Sequence, residues 1–460
     1  MRRSWLAVPP LAGLIAVLAA GARGLYVSPD AVFYVGTARN WLDGRGFTPP
    51  PGVPPLEHFP PGFTLVLAAV GKLGVDPVTG ARVVNALAFA GLVLLVGLVV
   101  HAVTGSVPAA LVASVLCAAA VDLLALSASG LSEPLFILLA LGGLVALAAY
   151  LDDPRPALLA VACLLVAAAF LTRYIGIALV VAGVAGLLWR RRWLSAGVFG
   201  AVTVAPVAAF LLLAEGGTSD RTVAFHMFGA EYLGQAARPF ARWLLPWPGP
   251  PLGLLLAVLL VAAGVVVARR LDGPLPWLLV AFAVAYLAVL LANRTFTDAT
   301  GRLDARFLAP LHVVAIVVAV PALRHVRFPV AGILVLGQVA GAVAWAAGDG
   351  SIARRGYTAA AIQDSVVMAS LQEPLYTNAP DAVYFVTGRP SLAVPAEKDY
   401  LTGQANPRFA EEVAAMRGYL AYFDAITFKR SFQPTRAELE ASLRLEIVAQ
   451  DPVGTLYRIL

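Results

Sequence analysis

Charge is what this sequence lacks most. Only 13% of its 460 residues are Asp, Glu, Lys or Arg, about half the ~25% usual for a soluble globular chain. Cysteine is confined to Cys117 and Cys163, both inside apolar runs, which speaks against a disulfide framework and a thiolate metal site. Lysine is nearly missing: Lys72, Lys398 and Lys429 are the three, and Arg supplies the other 30 of 33 basic residues. With so much Ala, Gly and Pro, that bias reads as GC-rich coding. No basic run is interleaved with aromatics as nucleic-acid binding requires. No His, Cys or Asp spacing resembles a metal site. No metal or cofactor is assigned on that basis, and dependence on a divalent ion stays open.

What is present is apolar: 60% of residues are hydrophobic and the mean hydropathy is +0.82. The charge deficit is uneven, because residues 350–460 hold 23 of the 60 charged residues. This pattern predicts a polytopic α-helical membrane protein over 1–349 and a small extracytoplasmic α/β domain over 350–460. Crossing about 30 Å of hydrocarbon takes roughly 20 apolar residues. The pattern places spans at 5–25, 82–103, 108–128, 131–151, 157–172, 175–189, 194–214, 251–268, 275–293, 307–323 and 328–348, eleven in all. Arg2 and Arg3, Arg155, Arg190–Arg192, Arg269 and Arg270, and Arg324 with Arg327 fall on alternate short turns. The positive-inside bias makes that side cytoplasmic. Odd parity then puts the C-terminal domain outside. Met1–Arg23 also fits a cleaved signal peptide, which would leave all downstream sidedness unchanged.

Acidic residues gather on the predicted outer side. Of fifteen in residues 1–349, only Asp152, Asp153 and Asp272 fall on cytoplasmic turns. The first outer loop, 26–62, carries Ser28-Pro29 as a helix start and apolar periodicity to a stop at Gly44. An amphipathic helix lying along the membrane surface follows, with Asp30 in its first turn. There Asp30 either complements the helix dipole or accepts a proton from a hydroxyl; spacing alone leaves both open. Phe63–Val75 is apolar but too short to span, and is expected at the interface or re-entrant. The short spans 157–172 and 175–189 meet at Arg173, where a charge snorkels, pairs or lines a wet cavity. Asp122, inside an Ala/Leu-rich span, is a functional carboxylate or a helix–helix hydrogen-bonding device. Glu133 in Ser132-Glu133-Pro134 suits a helix start. The loop 215–250 holds Asp220, Arg221, His226, Glu231, Arg238, Arg242 and the aromatics Phe240, Trp243 and Trp247, as interface anchors or a groove lining.

Several of these segments together resemble one family. Asp30 with Tyr34 four residues on, then Gly46-Phe47 and Pro60-Pro61-Gly62-Phe63, is similar to the first loop of GT-C glycosyltransferases of the protein-mannosyltransferase and aminoarabinose-transferase-like group. Ala81-Arg82-Val83-Val84-Asn85, Ser132-Glu133-Pro134-Leu135-Phe136, Leu171-Thr172-Arg173-Tyr174 and Arg306-Phe307-Leu308-Ala309-Pro310 follow in the same order across residues 1–348. The resemblance implies a GT-C-like membrane fold and inverting transfer of a sugar from a polyprenyl-phosphate donor to an acceptor hydroxyl outside the membrane. The acceptor would be a cell-envelope glycan, lipid or protein, and Asp30 the general base. The donor phosphate needs cations, for which Arg173, Arg306, Arg302, Lys72 and His58 are the candidates, with Arg82 behind them. Arg306 beside Asp304 also fits a plain surface ion pair. Tyr34, Glu57, Asp122 and Glu133 are candidates for substrate contact. The chain departs from the family where Asp30 is followed by Ala31 and not Glu; a second acid comes from elsewhere, with Glu57 the candidate, or is absent. Phe59 also stands where a lysine commonly precedes the Pro-Pro pair. The alternative reading is a transporter or flippase, against which the sequence shows no inverted repeat.

The C-terminal segment alternates helical stretches near 359–371, 408–417 and 435–443 with strand-like runs at 374–378, 382–387, 420–428, 444–449 and 454–459. It carries no nucleophile-elbow or phosphate-loop motif. Acceptor binding or covering the site is its expected role.

Overall fold

A computed structural model of the chain describes residues 3–214, 225–243, 273–298, 301–323, 328–347, 356–399, 402–426 and 432–460. Among these, four helices are long and apolar enough to cross a membrane: Pro77–Thr104, Glu133–Asp152, Trp193–Leu213 and Leu275–Phe296. Shorter apolar helices stand at most of the other predicted spans, at Ser4–Ala20, Pro156–Thr172, Tyr174–Trp189, Ala305–Pro321 and Gly332–Ala347. The expected span 251–268 lies outside the described residues. The expected span 108–128 is not one helix: Val107–Ala118 and Val121–Ser127 meet at a 59° bend. The break creates a second helix N-terminus, and Asp122 sits in its first turn, where a carboxylate favours the helix dipole.

The helices pack through one apolar core that takes a stripe from nearly every span, from Val17 and Phe89 through Leu147 and Phe199 to Phe282 and Val317. Small residues let backbones approach, as is common between membrane helices. A Cβ on Gly183 would lie 2.4 Å from the Phe199 ring, and one on Gly97 would lie 2.2 Å from Ser114 Oγ.

Three capping features set the first loop. Pro29 starts the helix Pro29–Leu42, and Gly44 leaves it at φ 76°. Asp76 caps Pro77–Thr104 by accepting from Val78 N at 2.9 Å. Asp76 also takes Arg39 at 2.7 Å, tying the end of one helix to the start of the other. Ser28 occupies the N-cap position, but its Oγ makes no cap bond and is buried without a partner.

The Pro29–Leu42 helix does not present one wet face. Ala31 through Ala38 are all buried, because the C-terminal part of the chain packs over them. Tyr357, Val367, Ala382 and Val383 join Val32, Phe33 and Val35 in one cluster. Tyr357 N donates to Val27 O at 2.9 Å. The apolar segment after the loop forms the helix Gly62–Gly71, packed between Pro29–Leu42 and Pro77–Thr104.

The C-terminal part builds a mixed five-stranded sheet in the order β2-β1-β3-β5-β4. Its strands are β1 Leu375–Thr377, β2 Leu392–Ala393, β3 Tyr419–Tyr422, β4 Leu445–Asp451 and β5 Gly454–Ile459. β1 runs parallel to β2 and β3, and β5 antiparallel to β3 and β4. The expected strand at 382–387 is instead the helix Pro380–Thr387. Proline at its first position and Gly388 at φ 70° beyond its end are a helix start and stop, and they override the β-branched and aromatic content of the run.

Candidate active site

Four charged side chains from four different segments converge where the first-loop helix meets the membrane helices. Arg306 Nη1 lies 2.7 Å from Asp30 Oδ2, and its Nε donates to Glu133 Oε1. Arg173 Nη1 reaches the same Glu133 oxygen at 2.7 Å. Ser132 Oγ joins the group, 3.3 Å from Arg173 Nη1 and 3.3 Å from the Tyr34 hydroxyl. Phe307 lies beneath both guanidiniums, its ring centre 6.0 Å from Arg173 and 5.7 Å from Arg306.

Local structure explains each placement. Asp30 is in the first turn of its helix. Glu133 opens the helix Glu133–Asp152, and the turn before it is pinned by Asn85, whose Nδ2 donates to Ser129 O at 2.7 Å and Leu131 O at 2.8 Å. Arg173 leaves the helix Pro156–Thr172 in extended conformation, beside Gly62, where a Cβ would come within 2.6 Å of Leu171 O. Arg306 sits in the first turn of Ala305–Leu323. Asp304 caps that helix by accepting from Arg306 N at 3.1 Å and Phe307 N at 3.3 Å. The expected Arg306–Asp304 surface pair is therefore a backbone cap, which leaves the guanidinium free to cross to Asp30 and Glu133. Tyr286 fixes the same turn from the neighbouring helix, its hydroxyl 2.9 Å from Phe307 O.

The four members differ in burial. Glu133 is almost wholly enclosed, with 2% of its side chain exposed, whereas Arg173, Arg306 and Asp30 keep 14%, 24% and 29%. Glu133 Oε2 is buried without a partner. Burial works against ionisation of Asp30, but the Arg306 guanidinium outweighs it, and His58 and Arg173 assist, so the carboxyl titrates below its ordinary 3.8. Burial pushes the Tyr34 hydroxyl up, which keeps it a neutral phenol. The carboxylate that Arg306 bridges to Asp30 is that of Glu133.

The other candidates are spread around this centre. His58 is close enough to act on Asp30 electrostatically and packs edge-on to Phe59 at 4.6 Å. Glu57 contributes its backbone carbonyl, which accepts from the Tyr174 hydroxyl at 2.8 Å. Tyr34 is fully buried among Phe33, Phe59 and Phe63; its hydroxyl hydrogen-bonds with Ser132 and lies within electrostatic reach of Arg173, Asp30 and Glu133. Lys72 stands at the far end of its ten-residue helix, with its ammonium over the Trp41 ring at 4.9 Å. Arg82 turns to Gly21 O at 3.1 Å. Arg302 is exposed ahead of the Arg306 turn. Asp122 lies apart, paired with Arg242 at 3.1 Å. Among the described residues no group of three or more His, Cys, Asp or Glu side chains is placed to hold a metal ion. Ser132 stood in the sequence only as part of the Ser132-Glu133-Pro134 helix start, and Tyr286 as a brace carried no sequence signal beyond being polar in apolar surroundings.

Comparison with solved structures bears on the fold that carries these residues. The aminoarabinose transferase ArnT from Cupriavidus metallidurans in the apo state is similar over 99% of this chain and 97% of its own, with 14% identity and a TM-score of 0.67. The same protein bound to undecaprenyl phosphate gives 16% identity and a TM-score of 0.59, covering 99% of this chain and 98% of that one. The arabinofuranosyltransferase AftD from Mycobacteria aligns with 100% of this chain but 42% of its own, at 17% identity and a TM-score of 0.55. No protein-family model and no curated protein matches the sequence. At these identities the likeness is one of backbone architecture, and it is near end to end: this chain of apolar helices has an ArnT-like fold.

Proposed function

We propose that the protein is an integral-membrane glycosyltransferase of GT-C type that moves a sugar from a polyprenyl-phosphate donor to an acceptor hydroxyl. The reaction takes place on the face that carries Asp30 and the C-terminal domain. That face is extracytoplasmic, with the N-terminus cytoplasmic, in a bacterial plasma membrane; the arginine distribution supports this orientation. The observation that carries the reading is the sharing of Arg306 between Asp30 and Glu133, with Arg173 on the other side of Glu133. Two guanidiniums half-hidden at the boundary of a membrane bundle suit the phosphate of a lipid carrier. That ArnT has been captured with undecaprenyl phosphate supports this donor class.

The chemistry follows from the geometry. The acceptor oxygen attacks the anomeric carbon, the carbon–oxygen bond to phosphate breaks, and the polyprenyl phosphate leaves with the electron pair. Arg173 and Arg306 offset the charge that develops on it. The acceptor proton goes to a carboxylate of Asp30. Arg306 holds that carboxylate ionised but weakly basic. When the donor phosphate draws the guanidinium to itself, Asp30 loses its partner and its proton affinity rises, so the base is strongest when the donor is in place. A single displacement of this kind inverts the anomeric centre. Arg302, Lys72 and His58 serve the approach of the anion and not its immediate coordination, and the acceptor is a cell-envelope glycan, lipid or protein.

The test is mass spectrometry of purified protein with a set of polyprenyl-phosphate sugars and a cell-envelope extract. The native chain should release polyprenyl phosphate, and Asp30→Asn should release at least about 100-fold less, the usual contribution of a positioned base. Equal release by both proteins removes Asp30 from the chemistry; no release from any donor refutes the transferase reading.

A further inference from the structure

A second polar site lies apart from the four-charge cluster. A cavity of about 290 Å³ opens between the bent helix pair, the Ala305–Leu323 helix and the Phe328–Ala347 helix, lined by Asp122, Arg242, His312, Gln338 and Trp345. Asp122 keeps 10% of its side chain exposed and pairs with Arg242 at 3.1 Å. Gln338 Nε2 donates to Arg242 O at 2.8 Å, fixing the backbone that presents the guanidinium. His312 is 4% exposed, stacks flat on Trp243 at 4.7 Å, and has its Nδ1 buried without a hydrogen-bond partner.

Asp122 and His312 are largely buried polar side chains among apolar helices, where such groups are costly and mark functional cavities, while Arg242 keeps 47% of its side chain exposed. The volume stands at the small end of the ~300–1,000 Å³ range for ligand pockets, enough for one ring and too little for a lipid chain. Asp122 and Arg242 cancel in charge, so the cavity holds no net attraction for an anion. What remains is a carboxylate, a guanidinium, an imidazole and a carboxamide around an indole. That set suits many hydroxyls on a ring whose C–H face lies against an aromatic.

We propose that this cavity is a saccharide subsite that holds a neutral sugar ring, with Asp122 accepting from ring hydroxyls and Trp345 supplying the apolar face. Assigning the ring to the acceptor rests on the transferase reading; its binding does not. Asp304, which caps the Arg306 helix, lies within electrostatic reach of Asp122.

The experiment is saturation-transfer difference NMR on the full chain in lipid nanodiscs made without sugar detergents. The probes are methyl α-D-mannopyranoside, methyl α-D-arabinofuranoside and methyl β-D-glucopyranoside at up to about 50 mM, the range of weak single-ring binding. At least one should give a saturable signal, weakened about tenfold or more in Asp122→Asn. In Ala344→Leu, which narrows the cavity from a lining position already exposed, the signal should be lost. Ala344→Leu alone decides if Asp122→Asn does not fold. No signal with any probe, a signal unchanged in the folded variants, or displacement by inorganic phosphate overturns the proposal. Polyprenyl-phosphate release, measured in parallel, separates the two ideas. Turnover with no cavity-dependent binding sinks only the subsite, and cavity-dependent binding without turnover sinks only the transferase.

Discussion

Glu133→Gln tests the central cluster most directly, because it removes one charge and almost no volume. Glu133 Oε1 receives Arg173 at 2.7 Å and Arg306 Nε, with 2% of the side chain exposed. Removing one partner of a buried ion pair costs about 3–5 kcal/mol when the remaining charge is stranded. Here the stranding is partial. Arg306 keeps Asp30 at 2.7 Å, Arg173 keeps Ser132 Oγ at 3.3 Å, and both guanidiniums reach solvent at 24% and 14% exposure. The loss should therefore fall near 2 kcal/mol, below that range. The cluster meanwhile changes from two charges of each sign to a cationic excess of one. Undecaprenyl phosphate should then bind roughly tenfold tighter, a gain of about 1.4 kcal/mol, while turnover falls because Arg306 is no longer held in register with Asp30. The assays are unfolding of the purified protein in a denaturing-detergent series and binding of undecaprenyl phosphate in nanodiscs. A stability change under about 0.5 kcal/mol, or weaker lipid-phosphate binding, would refute the view that Glu133 organises and neutralises this pair of arginines.

Other outcomes follow from the same structure. Arg306→Gln removes what holds the Asp30 carboxyl below 3.8. In the native chain the stabilising effect of that lowered carboxyl is present above its ordinary value and lost as pH falls through the lower folded one; the variant should lack this acid-dependent component, and stability measured against pH below about 5 would show it. Gly62→Ala sets a Cβ within 2.6 Å of Leu171 O and 3.0 Å of Thr172 N, so it should cost about 1–3 kcal/mol and displace Arg173; undiminished turnover would show that this close approach does not position the arginine. Tyr357→Phe removes a buried hydrogen bond of 2.6 Å to Asp381, with an expected loss of about 1.5–3 kcal/mol. Because Tyr357 packs in the cluster with the Asp30 helix, limited proteolysis of the variant should also show looser docking of the C-terminal sheet.

The sequence by itself determined where most of the apolar helices form and the kinds of chemistry available. Hydropathy and charge spacing are local, so the apolar helices, the helix start at Pro29, the stop at Gly44 and the concentration of charge after residue 350 were all legible. Asp30, Glu133, Arg173 and Arg306 were visible as charges at the ends of apolar runs, where charge is expensive. Their relation was not legible. Arg306 reads as the neighbour of Asp304, and only the fold shows that Asp304 is spent on the backbone while the guanidinium reaches a carboxylate 173 residues away. The bridge from Asp30 through Arg306 to Glu133, and the burial of the Asp30 helix beneath a C-terminal sheet, are likewise contacts between segments distant in sequence. The helix at Pro380–Thr387 shows the local counterpart, since end signals overrode a strand-like interior. A carboxylate's neighbours are set by which helices meet, and that depends on packing and close glycine contacts that leave no periodic trace in the chain.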